Sequence, residues 1–384
     1  MSKLQDPKKK RTTVTPQHSK NRQLAKKTKK KNFLTEGAED AMVATTTPQE
    51  PKMRKPEVEA PPKSSMKSDP RQRWCEKVFG LRIKEDITKE FTCNRTWKPE
   101  KRPMTYWEKN EPKNRYDDIM CLDSTRVVLK DRPDDADYIH ASWMTMPDGQ
   151  KYISTQGPIT TTIEDFWHMI FTEKSNVIVM LTALEDENAT SKCARYFPKK
   201  IKNFEVFGAY KVTWKSSEAE PFPSIQHNIL VVEKEDAGTK MEVNHLIYDT
   251  WTDHFGPETP DISVGLMKMS RKLAAGKGPI TVHCSAGIGR TCTFIGIDWA
   301  SQKIAKEGEA VDMLQVMKDL RQMRYHAIQS SAQYVFIFLG VLELFVEENV
   351  IPRAGRYEAF LKVYQETMKR LKERFMKAKK SKDY

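Results

Sequence analysis

Apolar residues recur at regular positions along the chain from Trp74 onward. Short runs of apolar and β-branched residues predict strands at residues 126–129, 177–181, 210–214, 229–232, 242–248 and 279–282. Apolar residues spaced three or four positions apart predict helices at residues 74–92, 162–172, 261–275, 293–306, 311–322, 332–347 and 356–379. This mixed order of elements is typical of the α/β (α+β) class, so we expect one large twisted mixed sheet flanked by helices.

Residues 1–70 lack this regular pattern. They combine lysine runs with stretches rich in Thr, Pro and Glu and contain almost no aromatic residues. Such a segment cannot bury enough apolar surface to offset the entropy lost on ordering, so we predict a disordered basic N-terminal tail. Its basic clusters at residues 7–11 and 26–31 have the composition of a signal for an import receptor, of a tether to an acidic surface, or of a solvated arm that binds nothing.

The rest of the chain divides into a domain at residues 71–350 and a C-terminal segment at residues 351–384. This segment spaces its apolar residues by three or four positions with Lys and Arg between them; they are Phe360, Tyr364, Met368, Leu371 and Phe375. The spacing predicts a basic amphipathic helix. Two interpretations stay open: the helix packs on its own domain, or it offers its apolar face to a partner or a membrane surface.

Charge and composition narrow the class of protein. The formal net charge is +13, but residues 71–350 carry a net charge of about −3, so the basicity belongs to the two tails. A nucleic-acid-binding function is not required, because aromatic platforms for bases are absent from the N-terminal tail. The sequence predicts neither a transmembrane segment nor a secretory signal, and its six scattered cysteines indicate neither a disulfide nor a metal framework. We therefore expect an intracellular protein, placed in the cytoplasm and, through its basic clusters, also in the nucleus.

The most informative stretch lies between the strand predicted at 279–282 and the helix predicted at 293–306. It reads His283-Cys284-Ser285-Ala286-Gly287-Ile288-Gly289-Arg290-Thr291. The two glycines let successive N–H groups converge on one point at the positive end of the helix, where a phosphate group fits. The same field stabilises a thiolate at Cys284, and Arg290 adds a planar fork for two phosphoryl oxygens. The stretch predicts an anion-binding nucleophile loop, although a buried cysteine that merely packs is the plainer interpretation.

A candidate acid lies 31 residues before this cysteine. Asp253 stands in a segment that Gly256 and Pro257 mark as a loop, with Trp251 as a candidate packed hinge. A carboxylic acid that reaches the nucleophile loop can protonate a departing oxygen. An aspartate before Gly-Pro is also a common turn former, so the spacing alone leaves both interpretations open.

With these motifs, residues 71–350 resemble the tyrosine-specific, cysteine-dependent protein phosphatases of the non-receptor type. Further motifs follow in that family's order; they are Lys113-Asn114-Arg115-Tyr116-Asp117-Asp118-Ile119, Asp137-Tyr138-Ile139-His140-Ala141-Ser142, Thr155-Gln156-Gly157-Pro158, Asp165-Phe166-Trp167, Lys192-Cys193-Ala194-Arg195-Tyr196-Phe197-Pro198 and Gln329-Ser330-Ser331-Ala332-Gln333-Tyr334. The resemblance implies that Tyr116 stacks on the substrate ring and sets the pocket depth, while Asp118 binds the substrate backbone. A pocket of that depth excludes phosphoserine.

The resemblance also implies supporting residues around the nucleophile loop. Glu187 falls where the family has an acid that braces the loop arginine, and Lys192 where a lysine contacts the acid-bearing loop. Gln329 would position the hydrolytic water, with Gln333 in support.

The reaction implied by the resemblance is hydrolysis of phosphotyrosine in proteins. Cys284 attacks phosphorus while Arg290 and the loop N–H groups hold the equatorial oxygens, and Asp253 protonates the tyrosyl oxygen. Thr291 donates a hydrogen bond to the sulfur, and His283 helps to hold the loop. Neither a metal nor another cofactor is required, and the partners are phosphotyrosyl proteins. The alternative is a low-activity phosphotyrosine-binding module, which would commonly lose the nucleophile, the acid or the glutamine.

Several positions depart from the family pattern. His140 replaces the usual Asn, Phe197 the usual Trp and Ser330 the usual Thr, and we expect small effects because these residues are predicted to lie away from the chemistry. Thr252 stands where the family has proline beside the general acid.

Thr252→Pro is predicted to speed turnover of a phosphotyrosyl peptide, because proline fixes a backbone angle that threonine leaves free. Steady-state kcat of the variant and the wild type measures this effect. An unchanged kcat would show that the Thr252 backbone does not slow the reaction.

Overall fold

The computed structural model describes residues 69–235 and 238–382. The tail predicted at residues 1–70 thus lies almost wholly outside the described residues.

One mixed sheet organises the described part of the chain. Its nine strands are β1 (Arg126–Val128), β2 (Tyr138–Thr145), β3 (Lys151–Thr155), β4 (Val177–Met180), β5 (Phe204–Phe207), β6 (Tyr210–Ser217), β7 (Gln226–Lys234), β8 (Thr239–Ile247) and β9 (Ile280–His283). They lie in the order β1-β2-β3-β9-β4-β8-β7-β6-β5. The neighbours β3, β9, β4 and β8 run parallel, and the outer pairs are antiparallel. The predicted mixed sheet is confirmed, although the pattern did not predict β2, β3 or β5.

Helices flank this sheet, as predicted. In the described residues they are α1 (Pro70–Phe79), α2 (Lys89–Asn94), α3 (Thr105–Lys109), α4 (Ile163–Thr172), α5 (Asp261–Ala274), α6 (Arg290–Glu307), α7 (Met313–Met323), α8 (Ser331–Glu347) and α9 (Arg356–Lys382). None of these helices is long and apolar enough to cross a membrane.

The prediction of one continuous helix over residues 74–92 is wrong. The chain leaves α1 at Gly80, makes a π-helical turn over Ile83–Thr88 and then enters α2. The side chain of Asp86 accepts a hydrogen bond of 2.8 Å from the backbone N–H of Arg82, the residue just before the π-helical turn. A side chain that bonds to nearby backbone in this way competes with the hydrogen bonds of a continuous helix.

Both faces of the sheet are buried, as the central strand β4 shows. Val177 and Val179 point into one apolar cluster, which the larger helices cover. Ile178 and Met180 point into a second cluster on the opposite face. Because successive side chains of a strand alternate between faces, a continuous apolar run such as β4 is what a doubly covered strand requires.

Helix α6 provides a rigid base behind the strand that precedes it. It packs on α8 at Gly340, where an added Cβ would lie 2.4 Å from Cδ1 of Ile297. Such a close approach fixes the two helices against each other, since interiors are packed without voids. The first turn of α6 contains Arg290, so the arginine of the predicted nucleophile loop is attached to the core.

The C-terminal helix α9 belongs to the same core. Tyr357, Phe360, Tyr364 and Met368 are buried in the main apolar cluster. Of the two interpretations of this amphipathic segment, packing on its own domain is therefore confirmed. The lysines and arginines of α9 whose side chains are described are exposed, apart from the half-buried Lys372.

Candidate active site

The four parallel strands bring the predicted site residues to one edge of the sheet. β9 ends at His283 beside Thr155 of β3 on one side and Met180 of β4 on the other. β8 is the next strand, with Ile247 beside Met180. The carboxyl ends of parallel strands meet at the same edge, where ligands commonly bind in α/β sheets. The nucleophile loop, the acid loop (residues 251–257) and the loop containing Lys192 all follow these ends.

The nucleophile loop turns tightly around the sulfur of Cys284. The backbone N–H of Gly287 donates to Cys284 Sγ at 3.3 Å, and the cysteine itself is 2% exposed. Gly287 has a φ of +70°, and an added Cβ there would lie 2.2 Å from the carbonyl oxygen of Thr155. Only glycine fits both the backbone angle and this close approach. The loop therefore curls over the sulfur as the glycine pattern predicts.

A buried cation holds this loop from behind. Arg324 is fully buried; its Nε donates to the carbonyl of Gly287 at 3.0 Å and its Nη2 to that of Ala286 at 3.1 Å. The hydroxyl of Ser154 also donates to the Gly287 carbonyl, at 2.9 Å. Because these carbonyls are bonded behind the loop, the Gly287 amide N–H is left to face the sulfur. Sequence reasoning missed Arg324, which follows the helix predicted at residues 311–322 among other polar residues and so carries no local signal of burial.

Arg290 joins the nucleophile loop to the acid loop. Its Nη1 donates to the carbonyl of Trp251 at 3.1 Å, and its Nη2 lies 3.2 Å from Asp253 Oδ1. Neither Nε nor Nη2 makes a hydrogen bond to any residue that the structure describes, although the side chain is only 3% exposed. Buried guanidinium donors normally find acceptors. Nε and the ion-paired Nη2 therefore form a fork suited to an oxyanion.

Asp253 lies within an array of positive charge. Burial is the largest single influence on this carboxyl and raises its pKa. The charges of Arg290, His254 and Lys192, with the backbone N–H of His254, together outweigh burial and hold the pKa below its usual value. The Nζ of Lys192 lies 3.8 Å from Asp253 Oδ2. Trp251 closes the loop internally, because its Nε1 donates to the carbonyl of Phe255 at 2.7 Å. The Asp253 carboxylate thus reaches the arginine of the nucleophile loop, and Trp251 is buried.

Tyr116 packs on a small apolar cluster that includes residues of the nucleophile loop. It packs against Ile119, Ala286 and Ile288, and its hydroxyl lies 2.8 Å from Ser285 Oγ. Burial raises the pKa of Tyr116 to about 12, so it remains a neutral phenol near neutral pH. Asp118 is half-buried two residues further on in the same segment. The side chain of Tyr116 is flat and aromatic, as needed to stack on a ring.

The two glutamines contact the other side of the nucleophile loop. An added Cβ at Gly289 would lie 2.8 Å from Gln329 Oε1 and 2.9 Å from Gln333 Nε2. Gln333 Oε1 also accepts a hydrogen bond of 3.0 Å from the backbone N–H of Gln329. Both amides are therefore held against the loop, and Gln333 supports Gln329.

His283 is a neutral brace below the nucleophile. Its Nδ1 lies 3.1 Å from the carbonyl of Cys284 and its Nε2 2.8 Å from the hydroxyl of Tyr196. Burial lowers the pKa of His283 to about 4. The same tyrosine hydroxyl is 2.8 Å from Nε2 of His245. The ring therefore fixes the loop through hydrogen bonds and carries no charge at neutral pH.

Three predictions for individual residues need correction. Thr291 Oγ1 is buried and makes no hydrogen bond within the described residues, so it does not donate to the sulfur here; the Gly287 N–H does. Glu187 lies in the exposed turn at residues 187–188 and forms no ion pair or hydrogen bond with any described residue. Its neighbour Asp186 faces the site, 3.3 Å from Lys192 Nζ.

Ser330 is the third correction, because it contacts the acid loop. Its hydroxyl donates to the carbonyl of His254 at 2.5 Å, and it also caps helix α8 by accepting from the N–H of Gln333. A helix-capping serine is recognisable in the sequence, but its second bond depends on the tertiary approach of two distant segments. His140 likewise supports the site indirectly, since its Nδ1 lies 2.9 Å from Arg324 Nη2.

Comparisons with known proteins give the family. The family model described as protein-tyrosine phosphatase matches residues 110–343. The chain is 39% identical over 241 residues to receptor-type tyrosine-protein phosphatase C of Homo sapiens, covering 61% of this chain but 18% of that protein. It is 34% identical over 276 residues to tyrosine-protein phosphatase non-receptor type 20 of Rattus norvegicus, covering 71% and 64%. It is 32% identical over 300 residues to protein-tyrosine-phosphatase PTP1 of Arabidopsis thaliana, covering 74% and 88%.

The chain belongs to the protein-tyrosine phosphatase family. The predicted resemblance is therefore confirmed. The chain spans less than a fifth of the length of the receptor-type relatives and most of the length of PTP1.

Gly287→Ala is predicted to weaken binding of orthovanadate by more than about tenfold, because the new Cβ would collide with the fixed backbone of Thr155. Gly149→Ala is the matched control: its φ is +91°, yet nothing lies within 4 Å of an added Cβ. Calorimetric titration with vanadate compares the two variants. Equal binding by Gly287→Ala and wild type would show that the loop does not need this close approach.

Proposed function

We propose that this protein hydrolyses phosphotyrosine in proteins through a cysteinyl-phosphate intermediate and so acts in phosphotyrosine signalling. The observation that carries the proposal is the position of Arg290, which belongs to the same loop as Cys284 and whose buried Nη2 lies 3.2 Å from Asp253 Oδ1. One guanidinium therefore joins the nucleophile loop to the candidate acid. Family membership supports the same chemistry.

In the first step, the Cys284 sulfur attacks phosphorus and the bond to the tyrosyl oxygen breaks. Arg290 and the loop N–H groups hold the equatorial oxygens, where donors in a buried site act most strongly. Asp253 gives its proton to the leaving oxygen. The free carboxyl has a lowered pKa; the negative charge of a bound phosphoryl group next to it would raise that pKa and so favour the protonated acid.

In the second step, water releases phosphate from the cysteine. Gln329, held against Gly289 and bonded through its N–H to Gln333, orients the water. Asp253, now ionised, accepts a proton from that water, and the sulfur leaves as a thiolate. The Gly287 N–H at 3.3 Å stabilises the charge on the sulfur in both steps.

Selectivity for phosphotyrosine follows from the pocket wall. Tyr116 with Ile119 and Ile288 offers an apolar slot that fits an aromatic ring, and Asp118 beside it would accept the backbone N–H of the substrate. A phosphoseryl side chain is too short to bring its phosphate to Cys284 from the same rim. The low-activity binding module is not favoured, since every reacting group of the enzyme lies at the site.

The place of action and the partners are further parts of the proposal. All six cysteines are free thiols, as a nucleophilic cysteine in a reducing compartment requires. This supports action on phosphotyrosyl proteins in the cytoplasm. The basic clusters at residues 7–11 and 26–31, which would reach an import receptor and the nucleus or an acidic surface, lie outside the described residues.

Hydrolysis of paired phosphotyrosyl and phosphoseryl peptides tests the proposal. Cys284→Ser is expected to abolish release of phosphate from phosphotyrosine, and Asp253→Ala to reduce kcat by about 10²–10⁴-fold, the usual contribution of a general acid. The exposed cysteine Cys93 provides the control variant, Cys93→Ser, with unchanged activity. Release of phosphate from the seryl peptide, or full activity of Cys284→Ser, would contradict the assignment.

Lys192→Gln is predicted to move the alkaline limb of the kcat/KM profile to higher pH. The free enzyme needs Asp253 protonated, so activity falls as pH rises through the lowered pKa of this carboxyl. Removing one neighbouring cation raises that pKa, and the protonated form then persists to higher pH. The exposed Lys199→Gln is the control. A limb that stays in place, or moves to lower pH, would show that Lys192 does not act on Asp253.

A further inference from the structure

Helix α9 lies directly against the outer side of the acid loop. The hydroxyl of Tyr364 donates to the carbonyl of Pro257 at 2.8 Å. About two turns beyond the buried Met368, the ring of Phe375 packs on Phe255 with centroids 5.8 Å apart, and on His254 at 6.2 Å. These contacts span four consecutive residues of the loop, beginning one residue after the acid.

Helix α9 approaches the acid loop so closely at Gly256 that a side chain there would collide with it. At Gly256, an added Cβ would lie 2.4 Å from the hydroxyl oxygen of Tyr364 and 2.7 Å from Phe336 Cβ. Phe336 in turn packs between Tyr364 and Trp251, with ring centroids 6.0 Å and 5.6 Å away. The helix therefore contacts the loop both directly and through the hinge tryptophan.

The acid loop is thus held on two sides. Arg290 contacts its inner side through the Trp251 carbonyl and Asp253, while α9 covers its outer side at residues 254–257. The inner contacts are polar and compete with substrate for the same guanidinium. The outer contacts are the hydrogen bond from Tyr364 to the Pro257 carbonyl and the packing of the Phe375 ring, and they involve none of the proposed reacting groups.

We propose that α9 is a positioning element of the reaction, in which Phe375 and Tyr364 hold the acid loop so that Asp253 stays aligned with the leaving oxygen. This inference rests on the proposed phosphatase activity. It goes beyond the family match, which ends at residue 343, whereas α9 begins at Arg356. The residue before the acid is Thr252, which leaves the backbone freer than proline would, so the restraint has to come from tertiary packing.

The anchoring of the helix explains how it can act on the loop. Its first three turns are fixed in the core by Tyr357, Phe360 and Tyr364. Phe375 is only partly buried and contributes little to that core. Loss of the Phe375 ring should therefore loosen the loop more than the domain.

Phe375→Ala tests the proposal on the full-length chain, with Met376→Ala, the adjacent exposed residue of α9, as the matched control. Phe375→Ala is expected to lower kcat on a phosphotyrosyl peptide by about fivefold with little change in KM, since misplacement of a catalytic group affects turnover. The loss should be smaller with 4-nitrophenyl phosphate, whose leaving phenol is more acidic than tyrosine and depends less on an acid. Tyr364→Phe, which removes only the hydroxyl, should act in the same direction.

The Asp253→Asn background separates positioning from a general loss of structure. If Phe375 acts through the acid, Phe375→Ala produces no further loss of kcat in that background, and the Cys284→Ser form binds the phosphotyrosyl peptide equally well with and without Phe375. A full additional loss in the Asp253→Asn background, or equal losses for Phe375→Ala and Met376→Ala, would overturn the proposal. Absence of phosphotyrosine hydrolysis by the wild type would instead refute the proposed function itself.

Discussion

The contact of one guanidinium with two loops is the interaction on which the site depends. Arg290 starts helix α6 and belongs to the nucleophile loop, yet it donates to the carbonyl of Trp251 and lies beside Asp253. The distance between nucleophile and acid is therefore set by a single side chain that is rooted in the core. In the proposed reaction the same guanidinium would hold phosphoryl oxygens, so binding of substrate and placement of Asp253 would be coupled through one group.

Two buried arginines hold the site together, and their positive charges need hydrogen-bond acceptors or negative partners. Arg324 and Arg290 are both almost inaccessible, and an unpaired cation in such a place would be strongly destabilising. Arg324 is satisfied by the loop carbonyls, which makes the loop itself part of the compensation. The buried charge of Arg324 is therefore compensated only when the nucleophile loop is bent. The folded domain stabilises the bent loop without any substrate.

Much of this could be predicted, and the failures have physical causes. The apolar runs of β4 and β9 are buried on both faces and gave clear signals, and the glycines around Cys284 revealed the loop. Strands β2 and β5 contain polar or exposed residues that interrupt the run of apolar positions, so the hydrophobic pattern did not predict them. Ser330 failed for another reason: its hydrogen bond to the carbonyl of His254 joins segments far apart in sequence, and no local rule specifies which partner approaches.

The hydrogen bonds beneath the nucleophile run in one direction only. The carbonyl of Cys284 cannot donate, so His283 must carry its proton on Nδ1 and accept at Nε2 from the Tyr196 hydroxyl, which in turn accepts from Nε2–H of His245. Burial lowers the pKa values of the two rings to about 4 and about 3. Mild acidification therefore leaves both tautomers as they are. The hydrogen bonds of His283, Tyr196 and His245 therefore keep the same direction when the pH of the solution falls moderately.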